Sequence, residues 1–74
     1  MVFERLKKIL SEQLEIEEDY IKLDSNIVDD LGASSLDIVD IVMSIEDEFS
    51  LEVPDDLIES VQTVGDIVDF LEEQ

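Results

Sequence analysis

Two adjacent hydroxyls, Ser34 and Ser35, stand between a Gly-Ala turn and a run of apolar and acidic residues, and their positions give them different chemistry. In Leu31-Gly32-Ala33-Ser34-Ser35-Leu36-Asp37-Ile38-Val39-Asp40-Ile41-Val42-Met43, Gly32 and Ala33 supply a flexible turn. Ser34, with Asp37 three residues on, spells a capping-box-like start of a helix. The Ser34 oxygen is then engaged by an orphan backbone N–H, while Ser35 falls at the first helical position with its hydroxyl pointing outward. The dipole at a helix N-terminus stabilises a covalently attached phosphate by roughly 0.3–1 kcal/mol. Ser35 therefore reads as a site of covalent modification rather than as an enzymatic nucleophile. Taken alone, an S-S-L triplet is a weak motif, and most such triplets are plain helix starts.

Other constellations offer less. Asp29-Asp30 and Asp55-Asp56 pair carboxylates, but nothing beside them completes general acid–base chemistry. Asp24-x-Asn26 begins like a calcium loop, yet Val28 holds the fifth position, Asp29 replaces the glycine at the sixth, and Ser35 stands where a bidentate glutamate belongs. No metal site is expected beyond weak, non-specific divalent binding. With no cysteine and no histidine, disulfides, thiol nucleophiles, the usual zinc ligands and the usual neutral-pH base are all excluded, and the chain is not expected to be an enzyme.

The elements that position these residues follow from periodicity. Residues 3 to about 15 read as a first helix with Phe3, Leu6, Leu10 and Leu14 on one stripe. A long connection runs from about 16 to 33, with Asp24-Ser25-Asn26 as a turn cluster and Tyr20, Ile21, Leu23, Ile27, Val28 and Leu31 as apolar anchors, leaving room for one short helical turn. The second helix is expected over 35 to 49, with Val39, Val42, Ile45 and Phe49 at helical spacing. A short third helix, about 56 to 60, follows Pro54-Asp55. Thr63 and Asp66 form another capping-box-like start, for a last helix from 64 to about 72 that buries Val64, Ile67, Val68 and Leu71. No strand pattern is sustained. The expected fold is all-α, a four-helix bundle with a long first loop and a short third helix, in a single domain spanning 1–74.

Seventy-four residues bury only around 60% of the unfolded surface, so a deep cleft is not expected. The charge says more. Twenty-two acidic residues against four basic ones give a net −18, and Arg5, Lys7, Lys8 and Lys22 all precede position 23. Such a chain repels nucleic acid and anionic membrane and is steered toward proteins with basic patches. A 45% hydrophobic content argues against an acidic disordered tail. No apolar run has the length of a membrane span and no signal-peptide pattern opens the chain, so a cytoplasmic monomer is expected.

From about Phe3 to Leu71 the sequence resembles the acyl carrier proteins of bacterial fatty-acid synthesis. The resemblance is carried by Gly32-Ala33-Ser34-Ser35-Leu36-Asp37, by Val42-Met43 with Glu46-Asp47-Glu48-Phe49, by Val53-Pro54-Asp55, and by Thr63-Val64-Gly65-Asp66-Ile67. In that family the serine before the leucine bears 4′-phosphopantetheine, derived from coenzyme A, so the resemblance assigns the group to Ser35. The family usually has aspartate immediately before that serine. Here Ser34 caps equally well, while a carboxylate that helps the modifying enzyme dock is missing.

The resemblance implies further roles. Leu36, Asp37, Asp40, Met43, Glu46 and Asp47 would meet partner proteins, among them a phosphopantetheinyl transferase and fatty-acid synthesis enzymes with basic docking patches. An exposed Leu and Met framed by carboxylates suit that purpose, although a charged helix face is by default simply solvated. Ile27, Val28, Val39, Ile45, Val53, Leu57, Ile58 and Val61 would line a pocket that admits an acyl chain between the second and third helices, although by default such residues are plain core. A carrier specialised for polyketide, peptide or D-alanine transfer, or an unmodified acidic interaction module, are the alternatives.

Overall fold

The computed structural model describes residues 2–74. Four α-helices, α1 (Val2–Leu14), α2 (Ser35–Phe49), α3 (Asp55–Ser60) and α4 (Val64–Glu72), are joined by a long first connection that holds one 3₁₀ turn, Glu18–Tyr20. Among the described residues there is no strand, only an isolated antiparallel bridge between Asn26 and Thr63. The all-α four-helix expectation is met, with α3 starting one residue earlier than expected, at Asp55, after Pro54 as N-cap.

The core forms where the apolar stripes of α1, α2 and α4 meet. Leu6 and Leu10 of α1, Ile45 of α2 and Val64 of α4 are the largest fully buried side chains. Ile67, Val68 and Leu71 close the α4 side as expected. Ile9 joins Leu6 and Leu10, while Phe3 and Leu14, at the ends of the expected α1 stripe, are only partly buried. Helix α1 is tied to α2 by the Arg5 guanidinium. It reaches the Glu48 carboxylate at 2.9 Å and the Glu48 carbonyl at 3.0 Å, and lies 4.3 Å from the centre of the Phe49 ring.

The long connection is held largely through its backbone. Ile27 N–H donates to the Gln62 carbonyl at 2.9 Å, Val64 N–H to the Ser25 carbonyl at 3.0 Å and Gly65 N–H to the Leu23 carbonyl at 2.7 Å. A Cβ on Gly65 would stand 3.0 Å from that Leu23 oxygen, so the close approach favours glycine. Of the six expected anchors only Ile21, Ile27 and Leu31 are buried; Tyr20, Leu23 and Val28 are exposed. The stitches explain the difference. With the backbone at 23, 25 and 27 paired to residues 62–65, the side chains of Tyr20, Leu23 and Val28 can face water without freeing the segment.

Candidate functional site

The connection ends in a preset turn. Asn26 Oδ1 accepts from the N–H groups of Val28 at 2.9 Å and Asp29 at 2.8 Å, and the Asp30 carboxylate accepts from Asn26 N–H at 2.7 Å. The Asn26 side chain, considered above as a calcium ligand, is thus spent on its own backbone. Gly32 follows with φ of +76°, the left-handed region that glycine enters without steric cost, and Ala33 is buried with its N–H donating to the Ile27 carbonyl at 3.0 Å.

Ser34 then opens α2 as its N-cap. Its Oγ accepts from Asp37 N–H at 3.3 Å, and the Asp37 carboxylate accepts from Ser34 N–H at 3.0 Å, which completes a reciprocal capping box. Ser35 is the first residue of the helix and is exposed. Its hydroxyl, and the N–H groups of Ser35 and Leu36, have no hydrogen-bond partner among the described residues. An unencumbered hydroxyl beside free helix-end amides suits a phosphodiester, because those amides face the anion and the dipole favours it.

Along α2 the outward face carries Leu36, 78% exposed, Met43, 61% exposed, and between them Val39, 52% exposed. At ~100° per residue the three form one stripe, with Asp40 and Asp47 at its edge. Val39, expected in the apolar pocket, therefore belongs to the exposed stripe instead. The expected stripe of Val39, Val42, Ile45 and Phe49 mixes two apolar arcs of the helix. The inward phase is Ile38, Ile41, Val42 and Ile45, of which Ile41 and Ile45 are buried. The carboxylates of the face also differ among themselves. Asp37 is closed onto Ser34, and Glu46 accepts from Val53 N–H at 2.8 Å, whereas Asp40 and Asp47 are exposed and make no hydrogen bond among the described residues.

Beneath this face lies an apolar cavity of about 30 Å³. It is walled by Ile38, Ile41, Val42 and Ile45 of α2, by Leu57 and Ile58 of α3, and by Ile27, Val53, Val61, Ile67 and Phe70. Six of the eight pocket residues named from sequence are brought together here. Val28 and Val39 are not, because both side chains face solvent. Ile38, Ile41, Val42, Ile67 and Phe70 were missed, although the spacing of the α2 residues at i, i+3, i+4 and i+7 from Ile38 carried the signal. The volume accommodates a water or two at most.

At the far junction Thr63 and Asp66 repeat the capping box, with Thr63 Oγ1 accepting from Asp66 N–H at 3.2 Å. The Asp66 carboxylate accepts from the N–H groups of Gln62 and Thr63 at 3.0 and 3.1 Å, and these bonds hold its pKa below the ordinary carboxylate value.

Three comparisons agree with this arrangement. The family profile described as "Phosphopantetheine attachment site" matches residues 4–71. An acyl carrier protein of Clostridium acetobutylicum is 49% identical over 71 residues, covering 96% of this chain and 92% of that protein. One from Clostridium perfringens is 44% identical over 72 residues, covering 97% and 95%. A solved structure from Mycobacterium tuberculosis, proposed to be an acyl carrier protein, superposes with a TM-score of 0.92 at 25% identity, over 99% of this chain and 97% of its own.

Proposed function

The chain belongs to the phosphopantetheine-attachment family of acyl carrier proteins, and from that membership we propose that it serves fatty-acid synthesis with Ser35 as its attachment residue. It is a carrier rather than a catalyst, and the 4′-phosphopantetheine group supplies the thiol on which acyl groups ride as thioesters. The observation that carries the assignment to Ser35 is the division of labour between adjacent hydroxyls. Ser34 is engaged with Asp37, while Ser35 is exposed and free at the helix start.

On this reading the whole of 1–74 is one carrier domain and a protein substrate of a phosphopantetheinyl transferase. Partner enzymes of the pathway meet Leu36, Val39 and Met43 with apolar side chains, while cations on their basic patches pair with Asp40 and Asp47. Asp37 and Glu46 contribute charge to the same surface from positions fixed by their own hydrogen bonds. Long-range attraction of a −18 protein supports fast encounter, and the apolar stripe supports residence. The acyl chain lies between α2 and α3 in an enlarged form of the apolar cavity. On the same reading the protein works as a cytoplasmic monomer.

The test is intact mass after incubation with coenzyme A and a phosphopantetheinyl transferase, followed by malonyl transfer and elongation in a reconstituted fatty-acid synthesis system. One phosphopantetheine gained on wild type and none on Ser35→Ala is the expected result. Loading without elongation would move the chain to another carrier pathway.

A further inference from the structure

Helix α3 is the least anchored element of the fold. It is six residues long, buries none of them fully, and has Pro54 as an N-cap that offers no side-chain hydrogen bond. Among the described residues its one side-chain hydrogen bond, from Ser60 Oγ to the Leu57 carbonyl, stays within the helix. Apart from the half-buried Leu57 and Ile58 against the apolar cavity, the hydrogen bonds that fix it act at its two ends. The C-terminal end is held where Ile27 N–H donates to the Gln62 carbonyl. At the N-terminal end, among the described residues, the side-chain hydrogen bond that reaches the leading segment is Glu46 Oε2 accepting from Val53 N–H at 2.8 Å.

Glu46 is well placed for this. Its main-chain carbonyl also accepts from Ser50 N–H and, at 3.2 Å, from Leu51 N–H, the pattern that ends α2 through Ser50 in the left-handed region. The chain thus turns back on Glu46 and is caught again by its carboxylate three residues after the turn. Val53, whose amide is held, lines the same apolar cavity as Leu57 and Ile58 of α3.

We propose that Glu46 is the latch that keeps α3 closed over the apolar cavity, a positioning residue acting through the Val53 amide. Opening α3 at its N-terminal end breaks this bond, and the cavity's α3 wall moves with it. The bond is partly buried and its acceptor is a carboxylate, so it is stronger than a neutral pair in the same place. The part of the proposal that concerns an acyl chain rests on the carrier reading above, whereas the latch itself does not.

Hydrogen exchange on the full-length, unacylated protein tests the latch. In Glu46→Ala the amides of Val53, Leu57, Ile58 and Val61 should exchange roughly fivefold to tenfold faster, as expected for one lost hydrogen bond, with α1 and α4 unchanged. Glu52→Ala removes an equal charge from the neighbouring exposed position and should leave all of these amides as in wild type. Unchanged exchange in Glu46→Ala, an equal rise in Glu52→Ala, or a rise shared by α1 and α4 would each overturn the latch. A second arm uses the octanoyl thioester and its cleavage by hydroxylamine. Faster cleavage in Glu46→Ala is expected. Faster α3 exchange with unchanged cleavage would keep the latch and overturn the placement of the chain beneath α3.

Discussion

The Asp37 carboxylate takes both the N–H of Ser34, at 3.0 Å, and its hydroxyl, at 3.1 Å, while Ser34 Oγ accepts Asp37 N–H in return. Three bonds thus bind this serine to the first turn of α2 and leave its neighbour Ser35 free. Ser35→Ala should abolish phosphopantetheine loading, measured by intact mass. Ser34→Ala should still load, but with stability reduced by about 1 kcal/mol for the lost cap. In a domain of this size that lowers Tm by about 4–8 °C. Loading of Ser35→Ala at the wild-type level would remove the assignment.

Docking is expected to divide by residue type. Asp40→Lys should slow association with a basic partner enzyme more than it changes dissociation. Met43→Ala and Val39→Ala should mainly raise the off-rate, since both remove exposed apolar contact. Surface plasmon resonance at two salt concentrations separates these effects. If Glu12→Lys on α1 slows association as much as Asp40→Lys, only net charge matters and the α2 surface is not the interface.

Acid should attack the fold through Asp66. Its pKa in the folded protein is depressed below the ordinary 3.8, first by the Gln62 N–H and then by the Thr63 N–H. The unfolded chain therefore binds the proton more readily. The stabilisation is complete above the ordinary carboxylate range and is lost as pH falls through the depressed folded value. The stability gap between wild type and Asp66→Ala, from urea titrations, should be constant near neutrality and shrink below about pH 4. A gap that widens on acidification would reverse the sign of this linkage. Added salt at neutral pH should raise Tm in both proteins by screening the −18 charge.

Two helices end on left-handed residues that are not glycine, Glu15 with φ of 56° after α1 and Ser50 with φ of 54° after α2. Ile16 N–H reaches back to the Ser11 carbonyl and Leu51 N–H to that of Glu46, so both turns are fully formed despite the Cβ penalty. Glu15→Gly should stabilise the protein by about 0.5–1 kcal/mol, the side-chain strain relieved less the entropy of glycine. Thermal melts of Glu15→Gly and Ser50→Gly check this; a loss in both would mean that these ends relax differently from the geometry described.

The acyl chain should stabilise the protein by about 0.8 kcal/mol for each methylene it buries, less what is needed to part α2 from α3. Tm is therefore expected to rise with chain length and then level off. Ile58→Ala should move the plateau to longer chains while destabilising the unacylated form through the cavity it leaves. Val39→Ala should leave the plateau in place, because Val39 stands outside the cavity. Equal Tm for short- and medium-chain forms in both wild type and Ile58→Ala would place the chain outside the bundle.

Residues 34–37 and 63–66 declared their own structure, since a capping box is a contract among four consecutive residues and needs nothing distant to complete it. For the same reason the sequence alone determined where α2 and α4 begin and which of the two adjacent hydroxyls, Ser34 or Ser35, the cap leaves free. It also determined the net charge of −18. What tertiary structure decided were matters of phase and pairing. Helix α2 carries apolar residues on two arcs, Leu36, Val39 and Met43 on one and Ile38, Ile41, Val42 and Ile45 on the other, so only contact with the rest of the fold could choose the second for the interior and leave Val39 outward. Glu46 was expected only to meet partner proteins, and its bond to Val53 N–H exists because the chain folds back at Ser50. Tyr20, Leu23 and Val28 looked like anchors until backbone bonds from residues 23, 25 and 27 to 62–65 made anchoring by those side chains unnecessary. Each of these outcomes depends on groups that the chain separates and only folding brings together, which is why local pattern could not state them.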